Sequence, residues 1–174
     1  MSISHDEVKK AILKSQHCQR NWDLSQEMAK EDIDLFESAV SQCPSKQNVA
    51  FYKAHFITNR ELIEKIHEKT NGFIISFEDQ TRTSNPQVLA NLLVVFEAKH
   101  VELVTDKDSL RNQQTFDLKN GSEIEVDRQS IFERDQNMAV GIAAGYLNLS
   151  ASLLGYSTGC CACFESDADR KSVV

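Results

Sequence analysis

The stretch DQNMAVGIAAGYLNLSASLL, from Asp135 to Leu154, decides the fold class of this chain. Its side chains are apolar or small nearly all the way round a helix. A helix with no polar face must be covered on all sides, either in a core or between subunits. We therefore predict one long helix from about Asp135 to Leu154, buried in a core or between subunits. The small residues that would let another backbone approach it closely are Ala139, Gly141, Ala143, Ala144 and Gly145.

Local start and stop signals predict two helices near the beginning of the chain. Ser4 and Glu7 have the spacing of a capping box, which satisfies free N–H groups of a first helical turn. That helix should end near Ser15. A second helix is expected over about residues 30–41, because Ile33, Phe36 and Val40 repeat on one face and Pro44 follows.

The middle of the chain predicts two strands and a third helix. Residues 51–57 are expected to form a strand with Tyr52 and Phe56 on the same face. Thr58 and Glu61 have the spacing of a second capping box, before a helix that ends at Asn71-Gly72. Its predicted face comprises Leu62, Ile66 and Thr70. Residues 92–96 are apolar on both faces, which favours a central strand.

The chain is expected to be one domain over residues 1–174, with a hairpin inserted at about residues 105–130. The hairpin is indicated by Asn120-Gly121, which supplies the positive φ values of a type I′ turn. Apolar residues that alternate along the chain flank this turn, namely Phe116, Leu118, Ile124 and Val126.

Composition excludes several classes of function. The net charge is −7 and Lys and Arg form no stripe, which disfavours nucleic-acid binding. No apolar segment follows a basic start, so no signal peptide is expected. The long apolar stretch is short for a membrane span and is interrupted by Asn148, Ser150 and Ser152. We therefore expect a cytoplasmic protein with no membrane partner, in which the five cysteines are reduced thiols.

The sequence Cys160-Cys161-Ala162-Cys163 resembles part of a metal site. Structural zinc usually requires four ligands, commonly in two pairs, and the chain offers no second cluster. Buried and inert thiols are the favoured interpretation, and no metal is predicted.

Two polar turns indicate little when each is considered alone. Their order along the chain is more informative. The first is Gln16-His17-Cys18-Gln19-Arg20-Asn21-Trp22, after the first helix. The second is Cys43-Pro44-Ser45-Lys46-Gln47-Asn48, between the second helix and an aromatic-rich strand. The long helix then closes in Leu154-Gly155-Tyr156, and Ala162-Cys163-Phe164 follow.

This order and spacing resemble the FMN-dependent nitroreductase family over almost the whole chain. The family's first turn is typically Arg-x-Ser-x-Arg-x-aromatic, and its second motif is Ala-Pro-Ser-Ser-x-Asn-x-Gln-Pro-Trp. Here Gln16 replaces the first Arg, and Ala50-Phe51-Tyr52 replaces Gln-Pro-Trp. Val174 lies ten residues after Phe164, so the chain resembles a short or C-terminally truncated member.

The resemblance implies an α+β fold with an antiparallel-rich sheet flanked by helices, built as a homodimer around the long helix. It implies FMN at the dimer interface and no catalytic acid or base, because the flavin carries the chemistry. Arg20 would bind the flavin phosphate. The full set of implied flavin-binding residues is Gln16, His17, Cys18, Arg20, Pro44, Ser45, Lys46, Asn48, Asn85, Cys161, Ala162 and Cys163.

The implied activity is electron transfer from NADH or NADPH to a quinone or nitroaromatic-like small-molecule acceptor. Two alternatives stay open. One is flavin-fragmenting chemistry of the kind that makes dimethylbenzimidazole. The other is a degenerate scaffold that keeps the dimer without catalysis, which the substitution at Gln16 favours.

Overall fold

The computed structural model describes residues 3–70, 73–74, 78–79, 81–99, 115–116, 123–124 and 128–161. Within these ranges lie helices α1 (His5–Ser15), α2 (Lys30–Ser41), α3 (Arg60–His67) and α4 (Arg128–Leu153). The described strands are β1 (Tyr52–Ile57), β2 (Phe73–Ile74), β3 (Arg82–Thr83), β4 (Leu93–Ala98), β5 (Thr115–Phe116) and β6 (Glu123–Ile124). Short 3₁₀ turns cover Lys46–Asn48 and Pro86–Leu89.

The sheets are small and antiparallel, which agrees with the predicted α+β class. β1 pairs with β4, so that Tyr52 lies opposite Ala98 and Ile57 opposite Leu93. Among the described residues β4 pairs with β1, and the prediction that it is a central strand stays a prediction. Residues 93–96 of its apolar run are half-buried.

Helix starts follow local capping chemistry. The capping box of α1 is confirmed: the Ser4 hydroxyl accepts a hydrogen bond from the Glu7 backbone N–H, and Glu7 accepts one from the Ser4 N–H. The predicted capping box of α3 is wrong. Asn59 caps that helix, and its side chain accepts from the Leu62 N–H at 2.8 Å. Asn is at least as good a cap as Thr, so the start moves by one residue.

The buried face of α3 differs from the predicted one. Ile63 is fully buried, whereas Leu62, a member of the predicted face, is 40% exposed. The helix ends at His67, before the predicted stop, and the Thr70 hydroxyl donates to the His67 carbonyl at 2.7 Å. The predicted cap at Asn71-Gly72 lies outside the described residues.

Helix α4 begins at Arg128, earlier than the predicted start at Asp135, and ends at Leu153. Its buried side packs on α1 and α2, and it contributes to a core that also contains residues of α2 and β1. The side chain of Gln136 donates to the carbonyls of Phe51 and Lys99, at 2.9 and 3.2 Å, and so fastens α4 to the end of the β1–β4 sheet. The buried members of this core are Val40, Phe51, Tyr52, Ala139 and Ala143.

The opposite side of α4 is open to solvent in the single chain. We call this side the open stripe; it comprises Met138, Gly141, Gly145, Tyr146, Leu149 and Leu153. A Cβ atom added at Gly141 or Gly145 would have no neighbour within 4 Å. The expectation that α4 is covered all round is therefore not met within one subunit.

Strands β5 and β6 pair antiparallel, with Thr115 opposite Ile124 and Phe116 opposite Glu123. The turn at Asn120-Gly121 lies outside the described residues. The single domain and the inserted hairpin stay predictions.

Among the residues described, no helix is both long and apolar enough to cross a bilayer. The same part of the chain contains no group of three or more His, Cys, Asp or Glu side chains placed to hold a metal ion.

Adjacent residues of α2 provide a test of this packing. Phe36 is 1% exposed and its ring meets that of Tyr156 edge-on at 5.9 Å, whereas Leu35 is 47% exposed. We expect Phe36→Ala to lower the free energy of unfolding by about 3–5 kcal/mol, because it leaves a cavity. Leu35→Ala should cost less than about 1 kcal/mol. Equal losses in urea denaturation would contradict the burial assigned to this face.

Candidate functional site

The turn that follows α1 lies against the segment that follows α4. The Gln19 backbone N–H donates to the Thr158 carbonyl at 2.9 Å, and the Lys14 ammonium donates to the Gly155 carbonyl. Gly155 has a φ of 91°, a left-handed conformation that glycine adopts at little cost. This glycine ends α4 in the manner of an αL cap and turns the chain back toward α1.

A third segment, residues 85–87, is hydrogen-bonded to both the turn after α1 and the segment after α4. Asn85 is buried, and its side chain accepts from the Gln87 N–H at 3.1 Å and donates to the Cys161 sulfur at 3.0 Å. The Trp22 indole N–H donates to the Pro86 carbonyl at 2.9 Å. We call the assembly of residues 16–20, 85–87 and 155–161 the C-terminal half-site, because it lies at the C-terminal end of α4.

Gly159 lies beside the other two segments of the C-terminal half-site. A Cβ atom added there would lie 3.4 Å from both the Gln19 carbonyl oxygen and the Gln87 side-chain nitrogen, which is ordinary van der Waals contact.

Tyr156 fixes the same segment to α2. Its hydroxyl donates to the Asp32 carboxylate at 2.6 Å, and its ring packs on Phe36. The hydrogen bond to Asp32, together with partial burial, raises the pKa of Tyr156 above its usual value. The hydroxyl therefore stays protonated and donating well beyond neutral pH.

Residues 44–48 form the N-terminal half-site, beside the N-terminal part of α4. The Lys46 ammonium lies 2.5 Å from a carboxylate oxygen of Asp135, and Arg134 lies 3.0 Å from the other oxygen. Burial opposes ionisation of Asp135, but the hydrogen bonds from Lys46 and Arg134 outweigh it and hold the pKa of this carboxyl below its usual value. Asn48 has a φ of 56°, a left-handed conformation that Asn tolerates.

The aromatic residue that follows this turn belongs to the core. The Tyr52 hydroxyl donates to the Val40 carbonyl at 2.6 Å and lies 3.1 Å from the Cys43 sulfur. Burial and the contact with Cys43 raise the pKa of Tyr52 well above its usual value. Tyr52, which corresponds to the Trp at the end of the family's second motif, therefore packs beneath the turn of residues 44–48.

The two half-sites lie far apart along α4, which runs from Arg128 to Leu153. Asp135 and Leu153 are 18 residues apart on one uninterrupted helix, which corresponds to about 27 Å at about 1.5 Å per residue. The N-terminal half-site is fastened to Asp135, and the C-terminal half-site begins just after Leu153.

The structure thus divides the predicted site residues into two groups. Gln16, His17, Cys18 and Arg20 are exposed next to the segment that carries Cys161, and Asn85 lies beneath it. Pro44, Ser45, Lys46 and Asn48 are together beside the N-terminal part of α4. Ala162 and Cys163 lie outside the described residues.

Four residues that shape the half-sites were missed by the sequence analysis. Each acts through a partner distant in sequence, so neither spacing nor composition could indicate it. These residues are Lys14, Asp32, Gln87 and Asp135.

Cys18, Cys43 and Cys160 are free thiols. Asn148 donates a side-chain hydrogen bond to the Cys160 sulfur at 2.9 Å. Cys161 is disulfide-bonded, so the prediction of five reduced thiols is wrong for this residue. Sequence spacing cannot decide whether two cysteines come close enough to bond.

A separate cavity of about 410 Å³ lies away from both half-sites, and none of the predicted site residues lines it. Its lining includes Arg60, whose guanidinium donates to the carbonyls of Leu89 and Ala90. The cavity is lined by Leu24, Gln26, Glu27, Met28, Ile33, Thr58, Arg60 and Asn91.

Comparison with known proteins identifies the family. No curated protein matches this chain. Residues 13–173, which include every predicted site residue, match the profile described as the Nitroreductase family. The chain therefore belongs to the nitroreductase family, whose members are generally FMN-binding oxidoreductases.

Proposed function

We propose that this protein is a homodimeric FMN-dependent oxidoreductase that takes electrons from NADH or NADPH and passes them to a quinone or nitroaromatic-like acceptor. The observation that carries the proposal is the division of the site into two half-sites far apart along α4. Membership of the nitroreductase family supports the flavin and the reductase class.

The chemistry of the C-terminal half-site fits a flavin mononucleotide. The exposed guanidinium-bearing residue Arg20 suits a phosphate dianion, which binds Arg through charge-assisted hydrogen bonds. The side-chain amide of Asn85 contains both a donor and an acceptor, which can form hydrogen bonds with the edge of a pyrimidine ring. Gly159 keeps the segment after α4 free of a side chain where it crosses Gln19.

Within this proposal the residues take distinct roles. Arg20 binds the phosphate, with Gln16, His17 and Cys18 lining the same turn. Asn85 and the segment of Cys161, Ala162 and Cys163 contact the ring. From the partner subunit, Ser45 and Asn48 provide hydrogen-bonding side chains, and Pro44 and Lys46 complete the turn that presents them.

The distance along α4 supports a site shared between two subunits. The helix rises about 27 Å between Asp135 and Leu153, which is more than the length of a flavin mononucleotide, and this favours two different chains as the source of the two half-sites of one flavin. In a twofold dimer each half-site meets the complementary half-site of the partner, and two equivalent sites result.

The open stripe on α4 supports the same dimer. Large apolar side chains such as Met138 and Tyr146 are about half exposed in the single chain, and Gly141 and Gly145 leave room for a second backbone. Burial of apolar area is the main driving force for such an association. α1 adds exposed Ile12 and Leu13.

When bound, the flavin supplies the hydride and electron transfer. The residues of the chain bind it, orient it and exclude water, so we assign no catalytic acid or base.

The first prediction concerns the cofactor. The purified protein should bind close to one FMN per subunit and oxidise NADH or NADPH when a quinone is added. Arg20→Ala should weaken FMN binding by roughly 1.5–3 kcal/mol, about 10- to 150-fold in Kd, because it removes a hydrogen bond to a charged group. Fluorescence titration measures this change.

Lys9→Ala is the control for this titration, since Lys9 is an exposed cation on α1, outside the turn. It should leave the Kd unchanged. A wild-type protein that binds no FMN at micromolar concentration would refute the proposal. Bound FMN without NADH or NADPH oxidation would favour the flavin-fragmenting or non-catalytic alternative instead.

The second prediction concerns the dimer. Leu149→Arg should produce monomers at micromolar concentration, because the dimer would bury an unpaired charge in the open stripe. Leu62→Arg is the matched control, since Leu62 is similarly exposed but lies on α3. It should leave the dimer intact. A wild-type monomer in sedimentation velocity, or equal effects of the two substitutions, would contradict the assigned interface.

A further inference from the structure

Asp135 is a carboxylate in an unusual position. Asp135 is only 5% exposed, whereas its charged neighbours on α4, Glu133 and Arg134, are exposed. Burying an ionised carboxylate is costly unless charged partners and hydrogen bonds compensate. Lys46 and Arg134 provide that compensation, one on each carboxylate oxygen, at 2.5 and 3.0 Å.

The contact with Lys46 joins elements far apart in the sequence. Lys46 and Asp135 are 89 residues apart, and Lys46 lies in the turn of the N-terminal half-site. Arg134 is a neighbour on the same helix, so its ion pair fixes nothing beyond α4. The ion pair with Lys46 is therefore the one that ties the turn to the helix.

The turn itself has weak local support. Its hydrogen bonds run from the Asn48 N–H to the Ser45 carbonyl and from the Val49 N–H to the Lys46 carbonyl, at 3.1 and 3.2 Å. Its 3₁₀ turn has no side-chain cap. Asn48 is left-handed, a conformation that persists when surrounding structure holds it.

We propose that Asp135 is a positioning residue, which holds the turn of residues 44–48 through Lys46 so that Ser45 and Asn48 face the flavin of the partner subunit. This inference rests on the proposed function for its ligand. It assigns the ammonium of Lys46 to Asp135 and leaves the flavin phosphate to Arg20.

The competing arrangement predicts the opposite change in FMN affinity for Asp135→Asn. If Lys46 bound the flavin phosphate, Asp135 would compete for its charge, and Asp135→Asn would tighten FMN binding. If Asp135 positions the turn, the same substitution loosens the turn and weakens FMN binding.

The experiment measures the Kd for FMN in the full-length dimer carrying Asp135→Asn, Lys46→Met or both. We expect each single substitution to weaken binding about tenfold, and the double substitution to be no weaker than either single one. Asp135→Glu should retain part of the affinity, because it keeps the charge. Tighter binding in Asp135→Asn, or additive losses, would overturn the proposal.

Asp34→Asn is the matched control, since Asp34 is exposed on α2 and pairs with Lys30 at 2.8 Å. It should not change the Kd for FMN. Hydrogen exchange without FMN provides a second readout. Asp135→Asn should accelerate exchange at the Asn48 and Val49 amides and leave those of β1 unchanged.

Uniform acceleration across the chain would mean that Asp135 is only structural, and would overturn the proposal. The exchange result does not require FMN. A wild-type protein that binds no FMN therefore refutes the proposed function, whereas the Asn48 and Val49 amides still decide whether Asp135 holds the turn.

Discussion

The length of α4 is the constraint on which the rest of the molecule depends. The helix carries the core on one side and the open stripe on the other. Each half-site adjoins a different part of the helix, and the length of about 27 Å between Asp135 and Leu153 keeps them apart. In the proposed function one flavin therefore takes its two half-sites from two chains, so that dimer formation and cofactor binding are coupled.

Each half-site also contacts a carboxylate on a helix. Asp32 accepts a hydrogen bond from the Tyr156 hydroxyl at the C-terminal half-site, and Asp135 accepts one from the Lys46 ammonium at the N-terminal half-site. Turns carry little packing of their own, so contacts with helices supply the rigidity that a binding site needs. The residues proposed to bind the cofactor can then remain exposed in turns that contacts with helices keep ordered.

Sequence reasoning succeeded where the determinants are local. The capping box of Ser4 and Glu7 and the bounds of α2 needed only neighbouring residues, and the motif order identified the family. It failed where a structural feature depends on residues that are distant in the sequence. Nothing near Asp135 in the sequence indicates its contact with Lys46, which lies 89 residues away. The start of α3 was misplaced because Thr58 and Asn59 can both cap a helix.

Complementation between two defective variants tests the shared site most directly. One variant carries Arg20→Ala and the other carries Asn48→Ala, and each should bind FMN poorly alone. After subunit exchange of an equal mixture, half of the dimers are mixed, and each mixed dimer has one site with no substitution. The account predicts that about a quarter of all sites regain wild-type affinity. No recovery after verified exchange would contradict it, because both half-sites would then belong to one chain.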